Sequence, residues 1–153
     1  VRKFFIGLVA VLTVVGFAPA ADAAVNAKIG NKANGRCLDG APNGNPGLQP
    51  CRVTNGQVWQ WTGRVPSTGT LRHPLSAKCL DSNARGDVYL LGCQAGNNNQ
   101  QWKLARFGTT LEIKNVATGR CLSRAQLDVF RLDTVGCDTR DSLQKWTITN
   151  IMP

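Results

Sequence analysis

Side chains able to do acid–base or nucleophilic chemistry are few in this chain, and they are scattered. There is one histidine, His73, and one glutamate, Glu112. Six cysteines are present, but none lies two to four residues from another, and His73 has no histidine partner, so zinc spacing is absent. Asp39 and Asp81 each follow a Cys-Leu pair. Glycosidases generally need two carboxylates flanking one bond, and these two belong to separate stretches of sequence. No nucleophile elbow or metalloprotease motif appears. The inventory argues against catalysis and against a metal or other cofactor. What it offers instead is hydrogen bonding: carboxylates that only accept, and amides that both donate and accept.

The elements that position these groups recur. Cys37, Cys79 and Cys121 fall 42 residues apart, as do Leu38, Leu80 and Leu122, and Ile29, Leu71 and Ile113. The second cysteines, Cys51, Cys93 and Cys137, follow at intervals of 42 and 44, and Trp59, Trp102 and Trp146 at 43 and 44. Two residues before each tryptophan stands a glutamine (Gln57, Gln100, Gln144), and two after it an apolar residue (Trp61, Leu104, Ile148). Periods of this length mark architectures in which no unit buries its apolar face alone. The three units run over residues 28–62, 70–104 and 111–148.

At the start, Arg2-Lys3 precedes an apolar run from Phe4 to Phe17, then small residues around Ala18 to Ala23. The run is too short for the ~20 residues of a membrane span. It reads as a secretory signal peptide over residues 1–23, with the cut after Ala23 preferred and Ala20 and Ala24 as the alternatives. The expected mature protein is a single domain, residues 24–153, secreted to the extracellular space, with no membrane insertion. Its net charge falls from +9 to +8 on loss of Arg2, Lys3 and Asp22. The basic residues are scattered and no nucleic-acid motif is present, so nucleic acid is not an expected partner. Export suits disulfides. Six cysteines allow fifteen connectivities, and the repeat selects Cys37–Cys51, Cys79–Cys93 and Cys121–Cys137, one clasp per unit.

No stretch of the mature chain keeps helical apolar spacing over three turns. Short apolar runs separated by Gly- and Asn-rich turns read as strands. In the middle unit they are Leu71 to Arg72, Lys78 to Leu80, Val88 to Leu91 and Trp102 to Leu104. Four such strands in each of three units predict an all-β chain of twelve strands. A propeller usually needs at least four blades, whereas three units fit a β-trefoil. The repeated tryptophans read as core, each with an indole N–H that needs a partner.

Three cysteine pairs, the Cys-Leu-Asp starts at Cys37 and Cys79, and three Q-x-W triplets together resemble the ricin B-type lectins, the family 13 carbohydrate-binding modules. The resemblance spans roughly Lys28 to Ile148. It implies a β-trefoil that binds galactose- or xylose-type sugars or polysaccharide without catalysis. Carried over residue by residue, the family's sugar-binding acid is Asp39 in unit one and Asp81 in unit two, with Ser123 in its place in unit three. The polar and aromatic positions four and two residues before the second cysteine hold Gly47 and Gln49, Tyr89 and Leu91, and Asp133 and Val135, so the aromatic is missing throughout. Tyr89 shares a strand face with that position and serves either as platform or hydroxyl partner, or as packing for the disulfide. The asparagine before the Q-x-W glutamine is Asn99 in unit two, with Asn55 near it in unit one and Leu143 in unit three. The resemblance thus implies carbohydrate-binding residues Asp81, Tyr89, Asn99 and Gln100 in unit two, and Asp39, Gln49, Asn55 and Gln57 in unit one. Unit two is expected to bind best. Because the glutamine persists in unit three without acid or amide, part of its role reads as structural. The rival reading is a degenerate trefoil acting as a structural or protein-binding partner of the toxin or inhibitor type. Oligomeric state is not readable from the residues.

Overall fold

The computed structural model describes residues 24–40, 45–63 and 65–150. The signal peptide expected over residues 1–23 lies outside them. Twelve strands occur among the described residues: β1 (Val25–Asn31), β2 (Cys37–Asp39), β3 (Gly47–Gln49), β4 (Trp59–Trp61), β5 (Ser67–His73), β6 (Lys78–Ser82), β7 (Val88–Gly92), β8 (Gln101–Phe107), β9 (Thr110–Asn115), β10 (Cys121–Arg124), β11 (Leu132–Val135) and β12 (Trp146–Asn150). A 3-10 turn precedes the last strand of each unit, at Asn55–Gln57, Asn98–Gln100 and Ser142–Gln144. No helix among the described residues is long and apolar enough to cross a membrane.

Pairing closes the sheet. β1 pairs with β12 and β4, β5 with β4 and β8, and β9 with β8 and β12, all antiparallel. That ring is a six-stranded barrel with two strands from each unit. The remaining strands form three hairpins, β2–β3, β6–β7 and β10–β11, attached to β1, β5 and β9. This is the β-trefoil expected from the repeat, and each hairpin is clasped by the expected disulfide: Cys37–Cys51, Cys79–Cys93 and Cys121–Cys137.

The core shows why the repeat has its spacing. Side chains alternate across a strand, and β1 buries every second residue from Ala27. Trp59, Trp102 and Trp146 are fully buried with Ile29, Leu71, Ile113, Leu38, Leu80 and Leu122. Each indole N–H donates to the carbonyl of the leucine after the first cysteine: Trp59 to Leu38, Trp102 to Leu80 and Trp146 to Leu122, all at 2.9 Å. The tryptophans sit on barrel strands and the leucines on hairpin strands, so this bond pins each hairpin to the barrel.

Two further links join the units. Unit three has two more residues between its cysteines than the others. Its hairpin loop reaches unit one, where the Leu48 amide donates to the Phe130 carbonyl at 2.8 Å. The turn of unit two reaches unit three in the same way, with the Thr134 amide donating to Gly86 at 2.9 Å.

Trp102→Phe keeps a ring in the core but leaves the Leu80 carbonyl without its partner. Loss of a buried hydrogen-bond partner costs about 1–3 kcal/mol, and urea unfolding should show a destabilisation in that range. A change below about 0.5 kcal/mol, within the scatter of surface substitutions, would mean that the indole bond does not pin the hairpin.

Candidate functional site

The Q-x-W glutamines turn out to be clamps. Gln57 Oε1 accepts from the Arg52 amide at 2.8 Å, and its Nε2 donates to the Pro50 carbonyl at 2.9 Å. Gln100 makes the same pair with Gln94 (2.8 Å) and Gly92 (3.0 Å), and Gln144 with Asp138 (3.0 Å) and Gly136 (3.1 Å). In each unit the two backbone groups flank the second cysteine. All three glutamines are buried, and an amide that bonds both ways is the side chain this geometry requires. The structural role read from their persistence is what the geometry shows.

The acids differ between units because the residue facing each one differs. Residues directly opposite in an antiparallel pair are close neighbours on one face. Asp39 faces Gly47, Asp81 faces Tyr89, and Ser123 faces Asp133. Asp81 is only 1% exposed, and its Oδ1 has no hydrogen-bond partner. Burial pushes the Tyr89 hydroxyl above its usual range, and the charge of Asp81 adds to the rise. Tyr89 therefore sits directly across the hairpin from the buried Asp81. Gln100 makes no hydrogen bond to Asp81; its amide is spent on the clamp. Asn99 is half-buried, and its carbonyl accepts from Asn115.

In unit three the carboxylate has moved to the opposite strand. Ser123 is buried and donates to the Arg124 carbonyl at 3.0 Å. Burial pushes the Asp133 carboxyl up, against the pull of Arg131, Arg120 and Arg124.

Unit one is the open one. Gly47 has no side chain to lay against Asp39, and a β-carbon there would meet the Phe130 carbonyl oxygen at 2.9 Å. Asp39 is half-buried and lines a concavity of about 580 Å3 together with Gln49 and Gln57. Gln57 Nε2 also donates to Asp39 Oδ2 at 3.2 Å, so clamp and acid are joined in this unit. Asn55 is exposed in the 3-10 turn beside Thr54 and Gly56, which line the same wall.

The opposite wall comes from the next unit, through His73, Leu75, Ser76 and Lys78. A reading made unit by unit has no means of finding these residues. His73 is 2% exposed. A carbonyl only accepts, so the 3.1 Å contact to Gly56 places the proton on Nε2, and Nδ1 accepts from the Ser76 hydroxyl at 2.9 Å. The 42-residue counterparts of His73 are Asn31 and Asn115, both buried. They donate to the carbonyls of Leu143 (2.8 Å) and Asn99 (2.8 Å). Each unit is thus latched to the 3-10 turn of the one before it. Histidine fits at position 73 because Gly40 makes room: a β-carbon at Gly40 would lie 2.4 Å from the ring.

Burial holds His73 below its ordinary value of 6.5, against the opposing effects of the Gly56 carbonyl and the Asp39 charge. Between 6.5 and that lower value the unfolded chain binds a proton that the native chain does not. Stability must therefore fall as the pH drops through this window and recover above it. Since His73 is the one histidine in the sequence, His73→Asn should flatten the difference in unfolding free energy between pH 7 and pH 5, while lowering stability at pH 7 because the ring's space is left empty. An unchanged pH 7-to-5 difference would refute the assignment.

Comparison with known proteins places this geometry. A "Probable alpha-galactosidase A" of Aspergillus fumigatus is 36% identical over 95 residues, which is 61% of this chain but 16% of that protein; this chain spans a small part of the relative's length. Among solved structures, the designed three-fold symmetric protein ThreeFoil superposes with a TM-score of 0.72 at 19% identity, covering 82% of this chain and 99% of that one. SeviL bound to asialo-GM1 saccharide superposes at 0.68 with 16% identity, covering 83% and 98%. At these identities the two structures speak for the β-trefoil fold. The profile of the ricin-type beta-trefoil lectin domain matches residues 25–150, and the chain belongs to that family.

Proposed function

We propose that this chain is a non-catalytic carbohydrate-binding domain that acts outside the cell, and that its accessible sugar site lies in unit one. The observation that carries the reading is the concavity over Asp39, about 580 Å3, a size suited to a small ligand. A carboxylate takes two neighbouring hydroxyls in charge-assisted bonds, and Gln57 steadies Asp39 from one side. Leu75, 67% exposed, offers an apolar surface in the same concavity. It stands in for the aromatic that the sequence lacks, since the apolar face of a sugar ring needs a surface to cover it. Family membership supports a galactose- or xylose-type ring. Export is supported by the three disulfides.

Unit two holds the fuller set of polar groups, Asp81, Tyr89, Asn99 and Gln100. Asp81 is buried opposite Tyr89, so a sugar reaches its carboxylate only if the surrounding side chains move. The buried Asp81 and the serine at position 123 favour, as second reading, a trefoil that has kept its frame and binds a protein partner.

Titration with a galacto- or xylo-oligosaccharide distinguishes these readings. Losing a charged hydrogen-bond partner costs about 1.5–3 kcal/mol, so Asp39→Asn should weaken binding by roughly tenfold or more. Asp81→Asn should act less strongly, and Ser123→Ala should have no effect. Binding that survives Asp39→Asn but is lost in Asp81→Asn moves the site to unit two. A wild-type protein that binds neither oligosaccharide leaves the protein-partner reading.

A further inference from the structure

We infer that the unit-one site is built for an anionic saccharide, one that carries a carboxylate or a sulfate beside the hydroxyls held by Asp39. The inference rests on the reading of that concavity as the sugar site, and it names the class of sugar.

Two cations, Arg52 and Lys78, line the concavity with the single acid Asp39. Both side chains are exposed, and among the described residues neither makes an ion pair or a side-chain hydrogen bond. Their backbone roots are firmly held. The Arg52 amide is clamped by Gln57 at 2.8 Å, and its carbonyl accepts from Lys28 Nζ at 2.8 Å. Lys78 sits in the ladder of β6, opposite His73 and Gly92. The two residues thus line the concavity from fixed backbone, Arg52 from unit one and Lys78 from unit two.

The repeat supplies an internal comparison. The 42-residue counterparts of Lys78 are Arg36 and Arg120. Arg36 stacks over the Phe130 ring at 4.5 Å, and Arg120 donates from Nε to the Thr134 carbonyl at 2.7 Å. Both are spent on holding the fold; Lys78 is not. The residues corresponding to Arg52, each following the second cysteine, are the neutral Gln94 and the acidic Asp138, whose carboxylate pairs with Arg140 at 3.4 Å. At these two positions, among the described residues, unit one alone carries a pair of cations that are not engaged elsewhere.

The chemistry follows from the groups. Asp39 accepts from vicinal hydroxyls. A guanidinium fork matches a carboxylate or sulfate in bidentate fashion, and an ammonium adds a point charge. A neutral sugar would leave both cations idle. An anionic sugar uses them, and its own charge is outnumbered by the pair.

The test compares the mature protein's affinity for a neutral xylo- or galacto-oligosaccharide with that for its uronate-substituted and sulfated counterparts. At low salt at least one anionic ligand should bind about tenfold more tightly than the neutral one. The advantage should shrink at 0.5 M salt, where charges are screened beyond a few ångströms. A gain for the uronate alone assigns a carboxylate, a gain for the sulfate alone assigns a sulfate ester, and a gain for both assigns the shared anion. Arg52→Gln with Lys78→Gln should bring the anionic-to-neutral ratio to about one, whereas Arg85→Gln, in an exposed pair with Asp87 elsewhere, should keep it. The thermal midpoint of each variant checks folding. Equal affinity of the wild type for neutral and anionic ligands, or a ratio that survives the double substitution, overturns the inference while leaving a sugar site in place. Binding of no oligosaccharide at all overturns the sugar reading together with it.

Discussion

The indole N–H of each Q-x-W tryptophan is the contact on which the rest of the structure depends. It is buried, it has one partner, and that partner lies on a different layer of the fold. In apolar surroundings an unpaired donor is costly, so the tryptophan cannot settle into the barrel unless the hairpin carbonyl is there to meet it. The glutamine two residues earlier adds a second demand. It fixes the backbone on both sides of the second cysteine. One short motif thereby ties barrel, hairpin and disulfide loop together, which accounts for its threefold recurrence whatever each unit's hydrogen-bonding set.

Where the three units differ, the differences are coupled. Gly47, Tyr89 and Asp133 occupy one position of the hairpin and make three different environments for the residue opposite. Gly40 and His73 change together, since the ring takes the room of the missing side chain. Unit three's longer hairpin supplies the Phe130 carbonyl that holds Leu48 and leaves no room for a side chain at position 47. The opening beside Asp39 is thus specified in part by a loop more than eighty residues away in sequence.

Much of this was legible in the residues. The 42-residue spacing gave three units, the cysteine positions gave the pairing, and apolar runs such as Val88 to Leu91 lie where β7 is found. The glutamines announced their structural role by persisting in unit three. The ranking of the sites was harder to read. Asp81, Tyr89, Asn99 and Gln100 form the fullest set of sugar-binding residue types, yet type does not reveal that Asp81 is buried opposite Tyr89; that needs the strand register. Nor does a repeat-by-repeat reading show that the wall facing Asp39 belongs to the next unit. His73, Leu75 and Lys78 lie 34 or more residues from Asp39 in sequence and meet it because the barrel closes.

We propose that the unit-one concavity is the part of this lectin-family domain that meets sugar. The most direct measurement is a backbone amide titration by NMR with an oligosaccharide that binds. The largest shifts are expected at Gln49, Arg52, Gly56 and Gln57, with the His73 amide following and Ser123 and Asp133 unmoved. Shifts centred on Asp81, Tyr89 and Asn99, with unit one silent, would contradict that proposal.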